Sequence, residues 1–183
     1  MTQAAFHAAR IFDGDNWHED AALVVRNGRV SSIEPSQTAP KGERVEGWIV
    51  PGLIDLQVNG GGGVLFNNSP DDATIETICA AHARFGTTAC MVTLITDSPN
   101  VTAAAIAAAA ANHAAGFLGL HLEGPHLSVA RKGTHDPALI RPMQPEDLAQ
   151  IITAARSLPN LIVTPAPESV STLQVQALAA AGV

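Results

Sequence analysis

The sequence predicts an α/β fold with a parallel sheet, preceded by a small all-β segment, and three observations predict it. Residues 1–50 break into short apolar and β-branched runs separated by turn formers. From Pro51 onward, apolar strand-like runs alternate four times with helix-like segments, the pattern of a parallel sheet with right-handed crossovers. The polar residues of 51–183 gather at the C-terminal ends of the apolar runs, where such sheets place their chemistry. Two architectures satisfy the pattern: an open doubly wound sheet, or the first half of an eight-stranded barrel. A complete barrel takes about 250 residues, and no Gly-x-Gly-x-x-Gly follows the first strand of the alternation to mark a dinucleotide site. The chain stops at Gly182-Val183, where a further apolar strand is expected, so the sequence is expected to be truncated.

Taken in order, Ala22–Arg26 and Arg29–Ile33 flank Asn27-Gly28, a pair that tolerates positive φ and closes a two-residue hairpin. A third strand is expected over Arg44–Val50. The first strand of the alternation, Leu53–Asn59, ends in four glycines, Gly60 to Gly63. Ser69-Pro70-Asp71-Asp72 supplies a helix cap, a proline at the first helical position and early acids; Ile75, Ile78, Cys79 and Phe85 form the buried stripe and Gly86 ends it. Thr88–Thr96 is the second strand, apolar enough to be covered on both faces. Ser98-Pro99 opens an Ala-rich helix running to about Gly116. The third strand is Phe117–Leu122, and Pro145-Glu146-Asp147 starts a helix to about Ser157. Leu161–Thr164 is the fourth strand, with a last helix over Ser169–Ala181.

Composition narrows the function classes. Among 183 residues, 46% are hydrophobic and 15% charged, which describes a soluble globular chain rather than a disordered one. A formal net charge of −7, with no basic cluster longer than Arg131-Lys132, argues against nucleic acid as a partner. The Ala-rich run is too short and too polar to cross a membrane, and no secretory signal opens the chain. Cys79 and Cys90, at no metal or redox spacing, fit free thiols in a reducing cytoplasm.

The candidate site lies at the strand ends: Asp55, Gln57 and Asn59; Thr93 and Thr96; His121 and Glu123; and Glu168. Glu123 stands out, because a carboxylate directly after a buried run needs a partner to stay ionised, either a divalent metal or an arginine or helix N-terminus. His126 and His135 make no His-x-His pattern, and a lone loop histidine is more often a hydrogen-bonding residue than a ligand. The four glycines read as a tight turn rather than a phosphate loop, since no Gly-Lys-Ser/Thr follows.

Pro51–Gly60 resembles the first barrel strand of the amidohydrolase superfamily. Leu120-His121-Leu122-Glu123-Gly124-Pro125-His126, followed by Lys132-Gly133-Thr134-His135-Asp136-Pro137, resembles the signature of its N-acetylglucosamine-6-phosphate deacetylase family. The resemblance implies about half of a (β/α)8 TIM-like barrel (residues 51–183, four βα units) preceded by an incomplete small β domain (residues 1–50). It implies metal-dependent hydrolysis of the N-acetyl amide of N-acetylglucosamine 6-phosphate, in the cytoplasm, by a protein that is a dimer in its complete form. Glu123 matches the glutamate metal ligand. Thr134 and His135 match the substrate contacts, with His135 the catalytic residue that bonds the acetyl carbonyl. Gln57 and Asn59 stand where many superfamily members carry His-x-His, so one Zn²⁺ rather than two is implied, activating the attacking water and weakly held if the family's later histidine ligands are absent. On that reading the 183-residue chain is expected to be inactive by itself. Two alternatives stand beside it: a non-catalytic half barrel that acts by self-association or partner binding, and another amidohydrolase acting on a cyclic amide.

Overall fold

In the computed structural model, which describes residues 2–183, the chain divides into two units, one running to Gly52 and one from Leu53 to Val183. The first unit is a sheet in which β1 (Gln3–Phe12), β2 (Trp17–Arg26) and β3 (Arg29–Pro35) run antiparallel in the order β3-β2-β1. Asn27 and Gly28 take φ of 51° and 75° and close the expected hairpin between Arg26 and Arg29. Two corrections apply here. The strand expected over 44–50 is two short strands, β4 (Glu43–Arg44) and β5 (Trp48–Ile49), each parallel to β1 and parted by Gly47 at a φ of 116°. The ten-residue β1 carries no strong strand signal, because its buried positions are mostly alanine; it is a strand through its pairing with β2. On this unit the Arg10 guanidinium stacks over Trp17 at 4.4 Å and Trp48 at 5.2 Å.

The second unit is built on four parallel strands: β6 (Leu53–Val58), β9 (Thr87–Ile95), β10 (Phe117–Glu123) and β11 (Leu161–Thr164), in the order β11-β10-β9-β6. Between β6 and β9 the glycine run forms a small hairpin, β7 (Gly60–Gly61) with β8 (Val64–Leu65), whose turn residues Gly62 and Gly63 have φ of 62° and 87°. The crossovers are α1 (Asp72–Ala83), α2 (Pro99–Ala111) and α3 (Pro145–Ala155), and α4 (Thr172–Ala180) follows β11.

Helix boundaries follow the caps. Ser98 with Pro99 starts α2, and Ser171 with Gln174 forms a capping box on α4. For α1 the cap is Asp71, which accepts from the Thr74 N–H at 2.8 Å, and not Ser69; a carboxylate two residues on satisfies the helix's free amide instead. Helix α1 buries Ile75, Ile78 and Cys79, but it ends before Phe85, which sits in the turn to Gly86 and is exposed. The Ala-rich helix stops at Ala111, where Asn112 leaves the helical backbone. Along the strands the period of two sorts the faces: Val92, Leu94, Leu120 and Leu122 join the helix-covered core, while Thr93, His121 and Glu123 alternate with them. Cys90, Met91, Val92, Thr93 and Leu94 are all buried, so the second strand is covered on both faces as expected, with Thr93 the polar residue among them. Cys79 and Cys90 are buried free thiols 3.6 Å apart, and the contact with Cys90, aided by burial, pushes the Cys79 thiol up.

Candidate active site

The polar face of the sheet is organised around Glu123, the last residue of β10. Its Oε2 accepts from the Gln57 Nε2 at 2.8 Å. Strand β9 lies between β6 and β10, so the two backbones are two strand spacings, about 9.6 Å, apart. The glutamine and glutamate side chains are long enough to close that gap from the two strands. One layer below, His121 ties three strands together: its Nδ1 lies 3.2 Å from Thr93 Oγ1 and its Nε2 lies 2.7 Å from Thr164 Oγ1. Thr93 in turn accepts the Val58 N–H at 3.1 Å, where pairing between β6 and β9 is irregular. Burial lowers the affinity of His121 for a proton, which suits an imidazole acting as a neutral cross-strand brace.

His135 comes to the same place from the loop after β10. It is buried, with Nε2 at 3.5 Å from Glu123 Oε1 and Nδ1 at 2.8 Å from Thr96 Oγ1. The Thr96 backbone N–H also donates to Nδ1, at 3.3 Å. Thr96 is held in turn by Asn67, whose side chain donates to the Ile95 carbonyl at 3.0 Å and to Asp97 at 2.9 Å and accepts the Ile95 N–H at 3.1 Å. Thr134, immediately before His135, is exposed on the turn.

The remaining strand-end candidates separate from this centre. Asp55 accepts from the Gln57 backbone N–H at 3.0 Å and serves its own strand. Glu168 is exposed, and a hydrogen bond from Ser128 holds it below the usual carboxylate range. His126 is buried and lies against a separate carboxylate, Asp147, which Arg141 grips with both terminal nitrogens. The side-chain amide of Asn59 is the one buried side-chain group without a hydrogen-bond partner among the described residues.

Toward a metal ion the donor set is partial. Glu123 offers hard carboxylate oxygens, one already accepting from Gln57 and the other open to His135. Among the described residues no three His, Cys, Asp or Glu side chains are placed together to hold a metal. These residues therefore fit one ligand position and not a whole coordination shell. Sequence reasoning from spacing found Glu123 but not the roles of Thr96, which lies 39 residues from His135 in the chain, and Asn67, which bonds the residues on either side of Thr96.

Comparison with known proteins gives this geometry a context. The chain is 38% identical over 183 residues to an N-acetylgalactosamine-6-phosphate deacetylase of Shewanella sp. (strain ANA-3), covering 95% of this chain and 46% of that protein. It is 33% identical over 162 residues to an N-acetylglucosamine-6-phosphate deacetylase of Haemophilus influenzae, covering 80% and 42%. The crystal structure of N-acetylglucosamine-6-phosphate deacetylase from Pasteurella multocida superposes with a TM-score of 0.88 at 28% identity, covering 100% of this chain and 49% of that one. The chain thus spans about half the length of the curated relatives it matches. Residues 48–172 match the amidohydrolase family, and the chain belongs to that family.

Proposed function

We propose that the protein serves metal-dependent deacetylation of N-acetylglucosamine 6-phosphate, giving glucosamine 6-phosphate and acetate, and that its four parallel strands are the first half of a (β/α)8 barrel. The observation that carries the reading is the juxtaposition of Glu123 Oε1 and His135 Nε2 at 3.5 Å on the polar face of the sheet, in a chain of the amidohydrolase family. Glu123 would hold one position of a divalent metal, Zn²⁺ by preference, and Gln57 would keep its second oxygen engaged. When bound, the metal supplies Lewis-acid polarisation of the acetamide carbonyl and an acidified water.

The chain's own residues orient and stabilise. Nε2 of His135 lies 3.5 Å from Glu123 Oε1, and a hydrogen bond from it to the carbonyl oxygen of a bound acetamide would strengthen as negative charge develops there. Thr134 contributes a substrate contact from the exposed turn. Asn59, with its unpaired amide donor at the same strand end, is available for a polar group of the ligand. A second reading concerns the sugar: the Shewanella relative is named for the galactosamine epimer, so N-acetylgalactosamine 6-phosphate is the rival substrate. Self-association as a dimer is part of the proposal for the complete protein.

The test is to exchange residues 1–183 for the matched region of the Shewanella deacetylase and assay acetate release from both phosphosugars. The exchanged protein is expected to be active with bound Zn²⁺, and Glu123→Gln to lower kcat/KM on the order of 10³-fold or more. The 183-residue chain alone, which lacks three clustered ligands among its described residues, is expected to release no acetate. A folded, metal-loaded exchange that is inert on both sugars, or one indifferent to Glu123→Gln, overturns the reading.

A further inference from the structure

We propose that Thr96 is the positioning residue that sets the tautomer of His135, placing the ring proton on Nε2, and that residue 124 is glycine to leave room for the Thr96 hydroxyl. The inference rests on reading His135 as the imidazole that faces the substrate carbonyl, but its test reads the imidazole itself.

The hydrogen-bond network makes the assignment. Nδ1 of His135 receives the Thr96 backbone N–H at 3.3 Å, and a backbone amide can only donate. A proton on Nδ1 would point at that amide proton and leave the buried donor unmade. The Thr96 hydroxyl lies closer, at 2.8 Å, and its other acceptor, the Glu123 carbonyl, is at 3.5 Å, so its proton also goes to Nδ1. Two donors from one residue thus converge on Nδ1, which must offer its lone pair. The single proton of the neutral ring sits on Nε2, the atom facing Glu123 Oε1.

Gly124 belongs to the same device. A Cβ built on it would lie 2.1 Å from Thr96 Oγ1, and its φ of 85° is in the region that favours glycine. The residue directly after Glu123 is therefore bare where the hydroxyl must sit. Residues from the end of one strand, the turn after the next and the following loop jointly present one N–H. Such an arrangement lets His135 donate to a carbonyl oxygen without first exchanging its proton.

His126 provides an internal standard. Its Nδ1 lies 3.1 Å from the Arg141 carbonyl, which can only accept, so its proton is on Nδ1, the opposite tautomer. In the 183-residue chain with 15N-labelled histidine, long-range 1H–15N correlations at about pH 8.5, where imidazoles are neutral, distinguish the two forms. His135 is identified by its loss in His135→Gln. The expected result is an unprotonated Nδ1 and a protonated Nε2 for His135, with the reverse for His126. Thr96→Val, which keeps the amide but loses the hydroxyl, should lower the excess of the Nε2–H form of His135 by about tenfold. Thr96→Ser should restore it, and Gly124→Ala should act like Thr96→Val with the hydroxyl chemically present. An unmoved His126 signal in each variant reports an intact fold. A protonated Nδ1 on His135 in the native chain, or populations unchanged in Thr96→Val with His126 unmoved, overturns the proposal. Those results leave acetate release by the exchanged protein unaltered as a separate question, so the two readings fail independently.

Discussion

Two buried histidines near the end of β10 each face a carboxylate, and the contrast between them separates scaffold from site. His126 Nε2 is 3.9 Å from Asp147, and His135 Nε2 is 3.5 Å from Glu123. Asp147 already has its charge matched: Arg141 pairs with it through both terminal nitrogens, and the Gln144 N–H at the start of α3 donates to it at 2.8 Å. Arg141 is the main cause that holds Asp147 below its usual range. Glu123 has a neutral amide as its hydrogen-bonding partner, and no Lys or Arg pairs with it among the described residues. The tautomers differ in parallel, for His126 gives its proton to a backbone carbonyl and turns a lone pair to its carboxylate, whereas His135 presents an N–H. A carboxylate satisfied by arginine and a helix start is finished; one satisfied by an amide retains capacity for a cation.

Removing the two carboxylates should therefore have opposite consequences. Asp147→Ala deletes two charge-assisted bonds and the cap of α3, and with Arg141 partly exposed the expected loss is about 2–4 kcal/mol. Glu123→Gln should change stability by under about 1 kcal/mol. All helices of the described chain follow residue 52, while both tryptophans precede it, so helical circular dichroism during urea unfolding is the measurement that follows this unit. Equal losses for the two variants would break the contrast.

Acid sharpens it further. Burial lowers the His126 pKa from an ordinary 6.5, so the unfolded chain binds that proton more readily than the folded one. Stability from this group is fully present above 6.5 and is lost as pH falls from there through the folded value. Asp147, also depressed, adds its own loss only below the ordinary carboxylate range. His126→Gln keeps a donor near the Arg141 carbonyl and should cost about 1 kcal/mol at pH 7. It should also flatten the decline of the urea midpoint between about pH 6.5 and pH 5. A decline unchanged in the variant would place the acid sensitivity elsewhere, His121 being the next buried imidazole.

Part of this was legible in the chain and part was not, for physical reasons. Strand and helix alternation shows in the sequence because burial imposes a period on it; hence the hairpin at Asn27-Gly28, the core strands and the cap at Ser98 all stand where expected. The strand over Gln3–Phe12 is hidden because alanines fill two of its three buried positions, Ile11 being the third, and the cap of α1 is Asp71 rather than Ser69 because the better acceptor lies two residues on. Glu123 showed as a charge ending an apolar run. His135 did not: a loop histidine carries no period, and the family resemblance alone pointed to it. Its partner Thr96 reads as one more strand-end hydroxyl, and only the sheet register brings the two together.

The smallest expected effect tests the amide that distinguishes Glu123 from Asp147. Gln57 is exposed, so deleting its bond in Gln57→Leu should cost about 0.5 kcal/mol or less in the urea unfolding of the chain. The consequence for Glu123 is larger than that for the fold. Without Nε2 at 2.8 Å the carboxylate regains rotational freedom, and in the exchanged protein Zn²⁺ affinity is expected to fall about tenfold, as when an outer partner of a metal ligand is removed. Competition with a chromophoric chelator measures it. If Gln57→Leu instead destabilised the chain as much as Asp147→Ala, the Gln57–Glu123 pair would be a finished structural link like Arg141–Asp147, and Glu123 would lose its claim to be held in readiness for a ligand.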